Sequence, residues 1–155
     1  MASIEQIFLL VVGCAINGTV DTLRDVCRTS EMREVLYQNM VVDQRMPKFE
    51  EGHWYTFQMS GAKSARLEVL VKDKVVLQAG VEIIYPESPG AIAERHFKEL
   101  AQIGNRHYGL GAPIDLGGID NLNYGDTRSV FYIVKGNMNK HPFIVFRAGN
   151  RRFWP

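Results

Sequence analysis

The sequence predicts an α+β domain with N-terminal helices, an antiparallel β-meander, one crossing helix, a long Gly-rich loop and a C-terminal β-hairpin. Three observations predict it. The apolar period changes from helical to alternating near residue 53. The connections between the alternating segments are short, as antiparallel neighbours require. Helical spacing then returns once, after Ser88-Pro89, which lays a helix on that sheet.

Ser3 followed by Gln6 matches a capping box, and Asn17-Gly18 is a helix stop, so the first helix spans Ser3 to Ile16. A second helix is expected over Val20 to Arg28. Ser30 caps a third, with Met32, Val35, Leu36 and Met40 on one face. VVDQRMPKFEEG is a linker, because Pro47 cannot continue a helix. HWYTFQM, SARLEVLVK and VVLQAGVEIIYP are strands. Ser60–Lys63 and Asp73-Lys74 turn each into the next, and Gly80 marks a bulge. Within the second strand, Ala65, Leu67, Val69 and Val71 face one way, and Arg66, Glu68 and Lys72 the other.

Ser88 is the expected N-cap of the crossing helix and Pro89 its first residue. Its buried stripe is Ile92, His96, Phe97, Leu100 and Ile103, and Gly104 stops it. The loop GNRHYGLGAPIDLGGIDNLNYGD follows, from Gly104 to Asp126, with six of the fourteen glycines. Strands Ser129–Lys135 and Phe143–Arg147, joined by GNMNKHP, form the hairpin, and GNRRFWP is the tail.

At 155 residues the chain is one domain, 1–155, long enough to bury a core without staples. Cys14 and Cys27 form neither a CxxC pair nor a zinc pattern and are expected to be reduced and buried, so no metal and no cofactor is expected. The apolar run Ile7–Val12 has no basic flank and is far short of the roughly 20 residues that span a bilayer. It is a core helix, with no membrane role. A cytoplasmic or virion location is expected.

Charge is uneven along the chain. From Thr127 onward there is no Asp or Glu, and Arg128, Lys135, Lys140, Arg147, Arg151 and Arg152 give +6, against −5 for the first 126 residues. Such a split points to an anionic partner or an electropositive contact face, or else to solvated strand ends.

Catalytic patterns are weak. GLGAPI starts as GxG, but Ile114 stands where a third glycine belongs, and a helix precedes it where a phosphate loop needs a strand. DLGGIDNL resembles part of an HNH nuclease, but the strand SVFYIVK follows where that site needs a helix. Cys14 lies in an apolar helix, which disfavours a thiolate. His53, His96, His107 and His141 are isolated, and His96 is expected to be a satisfied core histidine. Asp115, Asp120 and Asp126 share a Gly-rich loop and are expected to form turns.

Two resemblances remain. The strand–helix–strand order from about Val81, ending in RSVFYIVKGNMNKHPFIVFRAGNRRF, resembles RelE-like ribonuclease toxins. That likeness implies a basic sheet that binds RNA, with Arg128, Arg147, Arg151 and Arg152 stabilising charge and Tyr132 or His141 moving protons. The order of elements over most of the chain resembles phage tail-terminator and neck-type virion proteins, which implies a non-enzymatic assembly protein.

The absence of a catalytic motif and the charge split favour the assembly reading, with self-association, other assembly proteins as partners, or both, head-to-tail or in a ring. The expected contact residues are Tyr108, Ile114, Leu116, Ile119, Leu122 and Tyr124 on the loop, with Arg151, Arg152, Phe153 and Trp154 on the tail.

Overall fold

The computed structural model describes residues 3–18, 33–37, 49–87 and 90–154. Their elements are α1 (Ile4–Asn17), β1 (Arg33–Tyr37), β2 (Glu51–Phe57), β3 (Ser64–Lys72), β4 (Val75–Ile84), α2 (Ala91–Tyr108), β5 (Asp120–Gly125), β6 (Ser129–Met138) and β7 (His141–Asn150). The strands form one sheet of order β1-β2-β3-β4-β7-β6-β5, and every pair is antiparallel. The fold class is α+β.

The capping box of α1 forms as its sequence predicts: Gln6 N–H donates to the Ser3 hydroxyl at 3.2 Å, and Ser3 N–H to Gln6 Oε1 at 3.0 Å. Gly18 ends the helix, and its carbonyl accepts from Val76 N–H at 3.0 Å, which ties the helix end to β4. The turns Asp73-Lys74 and Asn139-Lys140 have positive φ at both residues, the two-residue geometry that matches strand twist.

One face of the sheet is the core. Leu67, Val69, Ala79, Val81, Ile83, Phe131, Ile133, Ile144 and Phe146 pack there with Ile7, Phe8, Val11 and Ala15 of α1 and Leu100 and Ile103 of α2. Phe131 is the hub. Its ring meets Phe8 edge-on at 5.1 Å, stacks on Tyr108 at 5.7 Å and contacts Tyr124 and Phe146 at 5.8 and 6.2 Å. Two helices and three strands are joined through that ring, because aromatic side chains bury large areas and favour tilted and edge contacts.

Four sequence expectations are corrected. Val35 and Leu36, expected on a third helix, lie in β1, where pairing with β2 overrides the helical spacing of a short segment rich in β-formers. The remainder of that helix, the second helix, Cys27, most of the linker, and Ser88-Pro89 fall outside the described residues. The described N-cap of α2 is Gly90. Gly104 does not stop α2, which runs to Tyr108 and is capped by Gly109 at φ 91°. A Cβ on Gly104 would lie 2.9 Å from the Tyr124 ring, so this glycine serves packing and not termination. Gly80 sits in regular register; the bulge is at Leu77, where Leu70 pairs with Gln78 but Val71 with Val76. Gly80 is small because the Arg147 stem crosses it, 2.4 Å from where a Cβ would stand. Finally, the stretch 104–126 is not one loop. Near its end lies β5, a third strand added to the expected hairpin and paired with β6.

Candidate functional site

The loop proper is Gly109–Ile119, between α2 and β5. Three asparagines shape it. Asn105 accepts from Gly111 N–H at 3.4 Å and from the Tyr124 hydroxyl at 3.0 Å. Asn121 accepts from Ile114 N–H at 2.9 Å and donates to the carbonyls of Ile114 and Ile119 at 2.7 and 3.1 Å. Asn123 exchanges backbone bonds with Ala112, both 2.9 Å, and its side chain donates to Ala112 O at 3.1 Å. These contacts pair part of the outer edge of β5 with the chain's own loop, which blunts an edge strand. Gly117 and Gly118 turn the chain at φ 66° and 86°, and Asp115 accepts from Gly117 N–H at 3.0 Å, as the turn-forming reading of that aspartate expects.

With the backbone so held, the apolar side chains divide. Tyr124 is buried, its ring occupying the space left by Gly104 and Gly111, and its hydroxyl donates to the Ala101 carbonyl at 3.2 Å. Tyr108 and Leu122 pack partly buried against the core, with Tyr108 bonded to the Ser129 hydroxyl at 2.6 Å. The others face solvent: Leu110 is 92% exposed, Ile114 55%, Leu116 40% and Ile119 42%. They are four of the six exposed large apolar side chains among the described residues. Ile114, Leu116 and Ile119, with Phe97, Pro113 and Leu122, rim a hollow of about 360 Å³, and the exposed Asp115 and Asp120 stand at the same rim.

The second predicted face is different. Trp154 lies across Gly149 of β7, its ring 2.6 Å from where a Cβ would stand, so the tail folds back on the chain's own sheet. The indole N–H is buried there without a hydrogen-bond partner, as is the amide nitrogen of Gln78, which pairs in register with Gly149. Phe153 has the Arg152 guanidinium at 5.2 Å and the Lys72 ammonium at 6.0 Å, and Arg152 is 3.9 Å from Asp73. Arg151 donates to the Asp126 carbonyl at 3.0 Å.

The residues of the ribonuclease resemblance divide into three places. On the outer sheet face, Arg147 donates to the Tyr132 hydroxyl at 2.8 Å and lies 3.9 Å from Glu68. Beside them, Trp54 donates to Glu68 at 3.1 Å, and Arg66 stacks on Trp54 at 4.0 Å and bonds Glu82 at 3.3 Å. Burial opposes the Arg147 cation, but Tyr132, Glu68 and Glu82 outweigh it and raise its pKa. Arg128 and Arg151 meet at the far end of the sheet, where Arg151 N–H bonds the Arg128 carbonyl at 3.0 Å. His141 opens β7, nine residues before Asn150, so roughly 30 Å separates it from that end. Its ring bonds the Tyr85 carbonyl at 2.9 Å.

The charge split therefore has an internal explanation. β6, β7 and the tail set three of the six cations against acidic partners earlier in the chain: Arg147 meets Glu68, Lys135 meets Glu94 at 2.6 Å and Asp120 at 3.2 Å, and Arg152 meets Asp73. Sequence reasoning missed the Trp54–Arg66–Glu68–Glu82 network. Only the alternation in SARLEVLVK signals it, by placing Arg66 and Glu68 on one face.

The remaining candidates are structural. His96 is buried and its Nδ1 lies 2.7 Å from the Tyr85 hydroxyl, a satisfied core histidine whose pKa is lowered by burial and by Arg95. Burial pushes the Cys14 thiol up to about 11, which keeps it protonated. Among the described residues, no three His, Cys, Asp or Glu side chains are grouped to hold a metal, and no helix is long and apolar enough to cross a membrane. In comparisons with known proteins, no family, curated protein or solved structure matches the chain.

Proposed function

We propose that this chain is a non-enzymatic assembly protein that self-associates through the Gly109–Ile119 loop. One observation carries the reading. Four large apolar side chains stand in solvent on an eleven-residue segment whose backbone is held by Asn105, Asn121 and Asn123. Large apolar side chains gathered in solvent on one ordered segment mark a contact surface, because leaving them wet forfeits roughly 25 cal/mol per Å². The loop is also pre-organised, which lowers the ordering cost of association.

Sedimentation velocity over a concentration series tests this. The wild type is expected to grow in mass with concentration, and a variant carrying Leu110→Asp and Ile114→Asp to remain a monomer with unchanged circular dichroism. A wild type that stays monomeric at the highest workable concentration overturns the reading, as does a double variant that associates like the wild type.

A further inference from the structure

The docking loop is apolar at its centre and has two exposed carboxylates at its rim, Asp115 and Asp120; Lys135 lies 3.2 Å from Asp120 but is shared with Glu94, so the rim stays acidic. Two loops face to face would bring four carboxylates together, and like charges at a contact select against that arrangement. The favoured occupant is an aromatic or aliphatic surface ringed by cations.

The chain itself carries such a surface. Phe153 is half-buried, with Lys72 and Arg152 against its ring, and the exposed Lys74 adjoins them at the β3–β4 turn. Asp73 and Glu50 are the acidic residues of this corner. Asp73 pairs with Arg152, and Glu50 accepts from the Asp73 backbone at 3.3 Å. Lys72, Lys74 and Arg152 outnumber Asp73 and Glu50 there, and Phe153 is half-exposed beside Trp154, which lies across Gly149.

The register separates this corner from the loop. Asp120 pairs with Lys135, Lys135 with Ile144, Ile144 with Ile83 and Ile83 with Ala65, and Lys72 lies seven residues further along β3. Four strand spacings across and seven residues along place the two patches on the order of 30 Å apart, at opposite ends of the strands. One copy cannot satisfy both patches by folding onto itself, and a two-fold axis does not pair them by loop-to-loop contact.

We propose that the occupant of the loop is the Lys72–Arg152–Phe153 corner of a second copy of this chain. Because loop and corner are different surfaces, the contact either pairs them reciprocally about a two-fold axis or runs from the loop of each copy to the corner of the next until rotation closes a ring. The inference rests on the docking-loop reading and adds the identity of the partner surface.

Two variants and their mixture test it by sedimentation velocity. One carries Ile114→Asp and Leu116→Asp, and so lacks a working loop. The other carries Lys72→Glu and Arg152→Glu, and so lacks a working corner. All four positions are exposed or half-exposed, and thermal melts check that each variant folds. Each variant alone is expected to lose association and run as a monomer. An equimolar mixture has one intact loop and one intact corner per pair, so it is expected to give a species of two chains and nothing larger.

A corner variant that associates like the wild type overturns this inference while the loop reading stands. A mixture that remains monomeric does the same. A loop variant that associates like the wild type overturns the loop reading and this inference with it, and so does a monomeric wild type.

Discussion

The loop at Gly109–Ile119 and the tail at Arg151–Trp154 look alike in sequence, each a glycine-flanked segment with large apolar side chains, and the fold treats them in opposite ways. What separates them is whether the sheet or helix beneath offers a notch. Gly149 leaves one, and Trp154 fills it. Gly104 and Gly111 leave another, and Tyr124 fills that. Gly109, Gly117 and Gly118 have no atoms within 4 Å of where a Cβ would be; they turn the chain and receive nothing. An apolar side chain in an irregular segment stays exposed when no glycine of its own chain has made room for it.

The largest effect that separates the two regions is on stability. Trp154→Ala should cost about 1–2 kcal/mol in urea denaturation, below the value for a fully buried ring because Trp154 is half-exposed. Leu110→Ala should lie within about 0.5 kcal/mol of the wild type, since its side chain touches so little. Equal losses at the two positions would break the contrast, because they would mean that Leu110 is packed against its own chain or that Trp154 is not.

The sequence carried most of the scaffold and only part of the site. SARLEVLVK alternates except at Leu70 and is β3 with its predicted bounds, and the Ser3–Gln6 box formed because capping is decided within one turn of chain. Val35 and Leu36 failed for the opposite reason: their spacing fits a helix, and only pairing with Trp54 and His53 makes them a strand. β5 was hidden because DNLNYG is half polar, and its asparagines serve the loop and not the sheet face. At the site, the sequence grouped Tyr108, Ile114, Leu116, Ile119, Leu122 and Tyr124 as one set of contact residues, and the fold divides them. Which side chains turn inward depends on Gly104 and Gly111, whose role emerges only when Tyr124 arrives from β5. The charge split was visible in full, but the long-range pairs that offset half of its cations, Arg147 with Glu68, Lys135 with Glu94 and Asp120, and Arg152 with Asp73, were not.

A smaller effect, read as a pH dependence, sharpens the contrast between satisfied and orphaned polar groups in the packed regions. The Trp154 indole N–H is orphaned, whereas His96 is bonded to Tyr85. Burial holds the His96 pKa below its ordinary value, with Arg95 adding to the shift and Glu99 opposing it. The unfolded chain therefore binds the proton more readily than the folded one. Stability should be level above the unfolded value near pH 6.5 and should fall as pH drops from there toward the folded value, with a slope of at most about 1.4 kcal/mol per pH unit for one group. In His96→Gln this contribution should vanish. An unchanged slope in that variant would show that the histidine is not the group being titrated.

The smallest and most specific effect compares two glycines inside helices. Gly13 in α1 has open space where a Cβ would go, while at Gly104 in α2 the Tyr124 ring is 2.9 Å away. On propensity alone, alanine is better than glycine in a helix by roughly 1 kcal/mol at either position. Gly13→Ala should keep that gain, seen as a stabilisation of about 0.5–1 kcal/mol. In Gly104→Ala the gain is opposed by overpacking, typically about 1–3 kcal/mol, because the ring is tethered by its hydroxyl to Ala101 and Asn105 and cannot step back freely. The net should be a loss of about 1 kcal/mol. Combining Gly104→Ala with Tyr124→Leu should recover part of the overpacking term, since the smaller side chain vacates the contact. If Gly104→Ala instead stabilises as Gly13→Ala does, then Tyr124 is not seated in the notch, and the distinction between filled and empty glycines loses its best-defined example.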